Sequence, residues 1–225
     1  MPLVQHALRE FHMKLVYYGP GLGGKTTNLE HIHQQTRPDR RGKLISLMTE
    51  SERTLFFDLL PLELGSFKGY RVRLHLCTVP GQIALDTTRQ LVLRHVDGVV
   101  FVSDSQPGRG GDNAESFRNL ETNLRLQGDD VARMPLVLQF NKRDLPGARP
   151  VEELREELAV GRSVPEVEAS AVRGVGVFET LKAITKAALH RVGTPDSLPE
   201  GQVESMRPPA DDVPTDRHRA EPEAP

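Results

Sequence analysis

The residues best suited to chemistry lie near the start of the chain: Gly19-Pro20-Gly21-Leu22-Gly23-Gly24-Lys25-Thr26, followed by Thr27. Their spacing fits G-x-x-x-x-G-K-[ST], the phosphate-binding loop pattern. Wrapping a polyphosphate in backbone N–H groups needs an approach that a Cβ obstructs, and glycines at 19, 21, 23 and 24 remove it. Leu22 and Thr27 complete the cradle. A helix starting near Lys25 aims its positive dipole end at the phosphates. Lys25 is expected to reach the β- and γ-phosphates, and the Thr26 hydroxyl to ligate Mg²⁺. The plain alternative is a glycine-rich turn, and G-x-G alone would equally suit a dinucleotide. The apolar run Leu15-Val16-Tyr17-Tyr18 before the loop and the helix after it favour the phosphate reading.

A second set lies far downstream, Asn141-Lys142-Arg143-Asp144. A carboxylate at Asp144 can accept from the N1–H and the exocyclic amine of guanine, a paired donor edge that adenine lacks. Asn141 can touch the base and tie neighbouring loops. The Lys142 stem can lie over the purine face. Ser170-Ala171 follows the last expected strand and can offer a backbone N–H to the guanine oxygen. Such a tetrapeptide alone is usually a polar turn. At a strand end, well after a phosphate loop, it supports the loop and is supported by it.

The elements that must position these residues alternate. Phe11–Tyr18, Leu44–Met48, Gly98–Ser103, Pro135–Phe140 and Val164–Ala169 read as strands, with Leu62–Leu64 and Tyr70–Cys77 as a hairpin turning near Lys68-Gly69. In its second arm Val72, Leu74 and Leu76 share one face, and Arg71, Arg73 and His75 the other. Helices are expected over Thr27–Gln35, after the turn Thr78–Gln82 to about His95, from Asp112 to Gly128, and over Val151–Ala159 and Val177–Val192. Gly108, Gly110 and Gly111 read as a flexible loop. His31 and His33 read as surface residues. Alternating strands and helices predict a three-layer α/β fold with a mostly parallel central sheet and one antiparallel edge hairpin, its site at the carboxyl ends of the strands.

Composition bounds the rest. At 225 residues and 25.0 kDa the chain suits one large domain with an appendage. Residues 1–192 read as that domain. Residues 193–225 hold seven prolines, eight acidic and three basic residues, a net −5 that leaves +3 for the domain. Such a segment cannot bury enough apolar surface to offset its ordering entropy and is expected to be a disordered tail. A whole-chain charge of −2 argues for neither nucleic acid nor a membrane surface. The lone Cys77 excludes an intrachain disulfide and reads as a small buried hydrophobe. No leader, membrane span or lipidation box is legible, so the expectation is a cytoplasmic protein without a direct membrane anchor.

Together these segments resemble the small Ras-like GTPases, and within them the bacterial MglA family of gliding-motility and cell-polarity GTPases. The resemblance runs over about residues 10–192. It is carried by residues 17–28, by Glu52-Arg53-Thr54-Leu55-Phe56-Phe57-Asp58, by Thr78-Val79-Pro80-Gly81-Gln82, by residues 141–146 and by residues 176–182. It implies a P-loop NTPase fold that binds GTP, GDP and Mg²⁺ and hydrolyses GTP slowly until an activating partner binds. Thr54 would sense Mg²⁺ and γ-phosphate. Gly81 and Gln82 would open a second mobile loop, with Gln82 positioning the attacking water and Arg53 acting as an arginine finger within the chain. The implied partners are a roadblock-type, MglB-like activator and further effectors, with recruitment to a cell pole through them. Where Ras-like proteins carry an Asp that holds Mg²⁺ through water, this chain has Thr78, and Asp58 and Asp104 are the candidate substitutes. The competing classes are a GTP-loaded scaffold with negligible turnover and a small-molecule kinase; the guanine-reading loop disfavours the kinase.

Overall fold

Along Glu10–Tyr18 the side chains alternate by period two. Met13, Leu15 and Tyr17 enter one apolar layer, and Val16 and Tyr18 enter another. A strand apolar on both faces needs cover on both, which dictates three layers. The computed structural model describes residues 3–47, 57–67, 69–81, 85–159 and 163–191. In chain order the elements are β1 (Leu3–Gln5), β2 (Glu10–Tyr18), α1 (Lys25–Gln35), β3 (Ile45–Leu47), β4 (Phe57–Phe67), β5 (Tyr70–Thr78), α2 (Asp86–Leu93), β6 (Gly98–Asp104), α3 (Gly110–Leu126), β7 (Leu136–Asn141), α4 (Val151–Leu158), β8 (Glu166–Glu168) and α5 (Val177–Arg191).

One sheet runs β3-β4-β5-β2-β6-β7-β8, with β1 beside β2. β2 pairs in parallel with β5 and β6, and the parallel order continues through β7 to β8. β4 is antiparallel to both β3 and β5. This is the mostly parallel sheet with an antiparallel hairpin that the alternation predicts. Helices α1 and α5 cover one face through Leu29, Ile32, Phe178, Leu181 and Ile184. Helices α2, α3 and α4 cover the other through Val92, Leu93, Phe117, Leu120, Leu124, Leu154 and Leu158. All residues of β6 and β7 are buried, as their continuous apolar runs require.

Several boundaries differ from the sequence reading, each for a tertiary reason. The first hairpin arm is longer than expected, because Leu60, Leu62 and Leu64 all point inward along β4. Gly110 and Gly111 open α3 instead of lying in a flexible loop. The Asn113 side chain accepts from Asp104 N at 2.9 Å and donates to Asp104 O at 2.9 Å, which ties the first turn to the end of β6. A side chain at Gly110 would overlap the Glu157 carboxylate of α4. Helix α2 stops at Leu93, and His95 follows with φ 56°, a left-handed conformation that a helix cannot continue. β1 was invisible in the sequence and pairs with Glu10, Phe11 and His12 below the stretch of β2 that β6 occupies. His31 is half-buried, edge-on to Phe178. On the polar side of the hairpin, Arg73 pairs with Glu10 at 2.9 Å and His75 stacks on His12. Cys77 is buried, and burial pushes its thiol up to about 11. Among the described residues no helix is long and apolar enough to cross a membrane. The tail, residues 193–225, lies outside the described residues.

Candidate functional site

Two cavities of about 490 and 250 Å³ open at the carboxyl ends of the central strands. Leu22, Gly24 and Thr27 line both, so they form one cleft. Lys25, Thr26, Ser46, Asp58, Thr78 and Gly81 surround its larger end. Asn141, Lys142, Asp144 and Ala171 surround its smaller end.

The glycine loop hands β2 over to α1, and its backbone explains its composition. Gly24 caps the helix at φ 97°, and a Cβ there would overlap the Asn141 amide. Gly19 lies under Val102 O, and the Gly23 N–H donates to Pro20 O at 3.3 Å. Gly21 packs closely against Gly81. Lys25 is 6% exposed, and its ammonium donates to Gly19 O at 2.9 Å and Pro20 O at 2.7 Å. Burial first, then the like charges of Arg89 and Arg109, push it down to about 7, with Asp58 opposing. A cation under this strain gains by meeting an anion. Sequence reasoning passed over Asn28, which is fully buried. Its amide donates to Gly24 O and to Gln139 Oε1, both at 2.9 Å. Gln139 returns a bond to Asn28 and donates to Thr180, locking the loop to β7 and α5.

On the Thr26 side the decisive residue is Asp58. The Thr26 hydroxyl donates to Asp58 Oδ2 at 2.7 Å, and the Thr78 hydroxyl donates to the same oxygen at 2.9 Å. Ser46 donates to Asp58 Oδ1 at 2.7 Å, and Asp58 N donates back to Thr78 Oγ1. A carboxylate from β4 therefore stands against the residue that lacks one at the end of β5. Asp104 is committed elsewhere. It is fully buried, with Lys142 at 2.7 Å and Arg109 at 3.3 Å. Hydroxyl and carboxylate oxygens around one point are the donor set of a hard cation such as Mg²⁺.

On the opposite side Asn141 donates to Gly23 O at 2.8 Å, and its Oδ1 accepts from Ala171 N at 2.9 Å. One amide thus joins three loops. Lys142 adopts φ 67°, and its ammonium is anchored by Asp104 and Gln106, both at 2.7 Å, so its stem is held at the pocket wall. Ser170 and Ala171 are buried, and Ser170 is bridged to Val175. The Ser170 hydroxyl beside Asp144 holds its carboxyl below the usual carboxylate range, with Arg173 adding to this, so Asp144 is an ionised acceptor at neutral pH.

Gly81 lies at the phosphate end, and a Cβ on it would overlap the Gly21 Cα. Gln82, Arg53 and Thr54 lie outside the described residues. Two cations that the sequence did not single out also reach this end. Arg109 donates to Gly21 O at 2.6 Å, and Arg89 donates to Pro80 O and Gly81 O. A residue count in a glycine-rich loop and one polar position of an amphipathic helix gave no hint of either.

The ADP-ribosylation factor family profile matches residues 3–188. The chain is 54% identical over 189 residues to the mutual gliding-motility protein MglA of Myxococcus xanthus (strain DK1622), covering 84% of this chain and 96% of that protein. It is 33% identical over 118 residues to the GTPase Obg of Syntrophomonas wolfei subsp. wolfei, which covers 51% of this chain and 27% of that one. It is 30% identical over 143 residues to ADP-ribosylation factor-like protein 4D of Mus musculus, covering 60% and 66%. Fold, cleft and these similarities agree: the chain belongs to the ADP-ribosylation factor family, as an MglA-like small Ras-like GTPase.

Proposed function

We propose that this chain is a GTP-binding and GTP-hydrolysing switch that controls gliding motility or cell polarity through partners that read its GTP state. The observation that carries the reading is the Asn141 side chain, which clamps the phosphate loop at Gly23 to the Ala171 loop beside Asp144. A cleft with a phosphate cradle at one end and an ionised carboxylate at the other suits a guanine nucleotide lying across it. Gly19 to Thr27 would hold the phosphates, with Asp144, Lys142, Ser170 and Ala171 on the base. Thr26, with Asp58 beside it, would hold Mg²⁺, and Thr54 would join them in the GTP state. Bound there, the ion would neutralise phosphate charge.

Arg53 and Gln82 are assigned to catalysis, with a roadblock-type, MglB-like partner as the activator and the cytoplasm, with recruitment to a pole, as the place of action. Thr78 in place of the usual Asp favours a scaffold without turnover, and the Asp58–Thr78 bond weakens that ground.

The test is to identify the nucleotide released from purified protein, then to measure single-turnover phosphate release with and without the partner. Guanine nucleotide and strong stimulation are expected. Arg53→Ala and Gln82→Ala should each bind GTP yet lose most of the stimulated rate, about 10³-fold or more for the arginine. Unchanged stimulation in Arg53→Ala would sink the internal finger, and an unstimulated parent would favour the scaffold.

A further inference from the structure

Arg89, on α2, is the largest fully buried side chain among the described residues, at 0% exposure. Its guanidinium donates to Pro80 O at 2.9 Å, to Gly81 O at 2.8 Å and to Asn119 Oδ1 at 2.7 Å. None of these acceptors is a carboxylate. The Tyr18 ring lies 5.5 Å from the guanidinium carbon, and the Tyr18 hydroxyl donates to the same Asn119 oxygen. Compensating charge arrives only at second hand. Asn119 and Asn123 each donate to Asp86 Oδ1 at 2.8 Å.

A buried cation satisfied by carbonyl dipoles is a costly way to fasten a helix. What it fastens is the backbone at the phosphate end of the cleft. Pro80 and Gly81 line that end, and Gly81 is pressed so closely on Gly21 that no side chain fits between them. A nucleotide whose base lies near Asn141 and Asp144 runs past Gly24 and Thr27 toward Gly81. On that path the last phosphate of a triphosphate would be the one to meet Gly81, and a diphosphate would stop short of it.

We propose that Arg89 is a positioning residue that holds the Pro80 and Gly81 carbonyls, and through them sets how much more tightly the cleft holds a nucleoside triphosphate than a diphosphate. The inference rests on the nucleotide reading above. Asn119, Asn123 and Asp86 make up its support, so the α2–α3 layer becomes part of the phosphate-sensing apparatus without touching the ligand. Lysine cannot replace the fork, because one ammonium cannot reach both carbonyls and Asn119 in the plane that the guanidinium occupies.

The experiment measures Kd for GDP and for a non-hydrolysable GTP analogue, together with Tm, in the full chain and two variants. In Arg89→Lys the GDP affinity should stay within about twofold of the parent while the analogue weakens about fivefold or more, the scale of a modest site-to-site coupling. Asp86→Asn leaves Arg89 in place and removes its remote counter-charge; a smaller change of the same ratio is expected. It decides the matter if Arg89→Lys does not fold. A purely structural Arg89 would lower Tm and weaken both ligands alike. That result, or an unchanged ratio in both variants, overturns the proposal. A parent that binds neither nucleotide overturns the underlying reading as well, so the two failures are told apart in the parent.

Discussion

Lys25 shows how one side chain can record what the site expects. Its ammonium is held down to about 7 by burial and by Arg89 and Arg109. A polyphosphate against it restores the charged form. Below about pH 7 the lysine is already charged and binding moves no proton, whereas above it binding takes up as much as one. Nucleotide affinity should therefore fall as pH rises from about 7, by at most about tenfold per unit. Calorimetric titration in two buffers of different ionisation heat at about pH 8 should show proton uptake; a proton count of zero there would contradict the assignment. At the other end, Asp144→Asn should weaken guanine binding by about 1.5–3 kcal/mol for each charge-assisted bond lost and favour xanthine. Competition between GDP and xanthosine diphosphate reads it directly. Lys25 and Thr26, and separately Asn141 and Asp144, were legible as candidates because their chemistry fixes residue type and spacing within a short segment. Asp58 was only one of two candidates in the sequence. What singles it out is the register of β4 against β5, where Leu59 pairs with Cys77 and so brings Asp58 to Thr78.

At the scale of elements, the apolar alternation of β2 and the unbroken runs of β6 and β7 announce a sheet covered on both faces, and the packing follows from that. Phe101 points from β6 into the α2–α3–α4 layer and meets Phe117 edge-on, ring centres 5.0 Å apart. Phe101→Ala should cost about 3–5 kcal/mol, the range for a buried aromatic whose site cannot collapse. Arg71→Ala, at a side chain 54% exposed beside Glu10, should stay within about 1 kcal/mol. Urea unfolding of the two variants checks both; equal losses would mean that the layer is not the stabilising one. The element ends were less legible than the elements. The start of α3 depends on Asn113 reaching back to β6 and on Glu157 crowding Gly110 from another helix. Neither contact leaves a local signature in the sequence.

For the whole molecule, we propose that the change of composition after Val192 marks where the domain gives way to an acidic, proline-rich tail. Removing residues 193–225 should leave nucleotide affinity and Tm nearly unchanged, since such a segment supplies few native contacts. A drop of several degrees would mean that it docks on the domain. The topology has a further bearing on how the protein is made. Glu10 pairs with Arg71 and Leu15 with Gly98, so the strand that carries the glycine loop finds its parallel neighbours only after much more chain has been synthesised. The Asn141 clamp that joins this loop to Ala171 comes later still. On the ribosome the phosphate loop emerges well before the segments that give it its final shape. Pairings this distant in sequence slow folding. A ligand that spans the first and last thirds of the chain also stabilises the folded form by mass action. Newly made protein should accordingly gain protease resistance only once translation has passed the Ala171 loop, and gain it to a greater extent when guanine nucleotide is present.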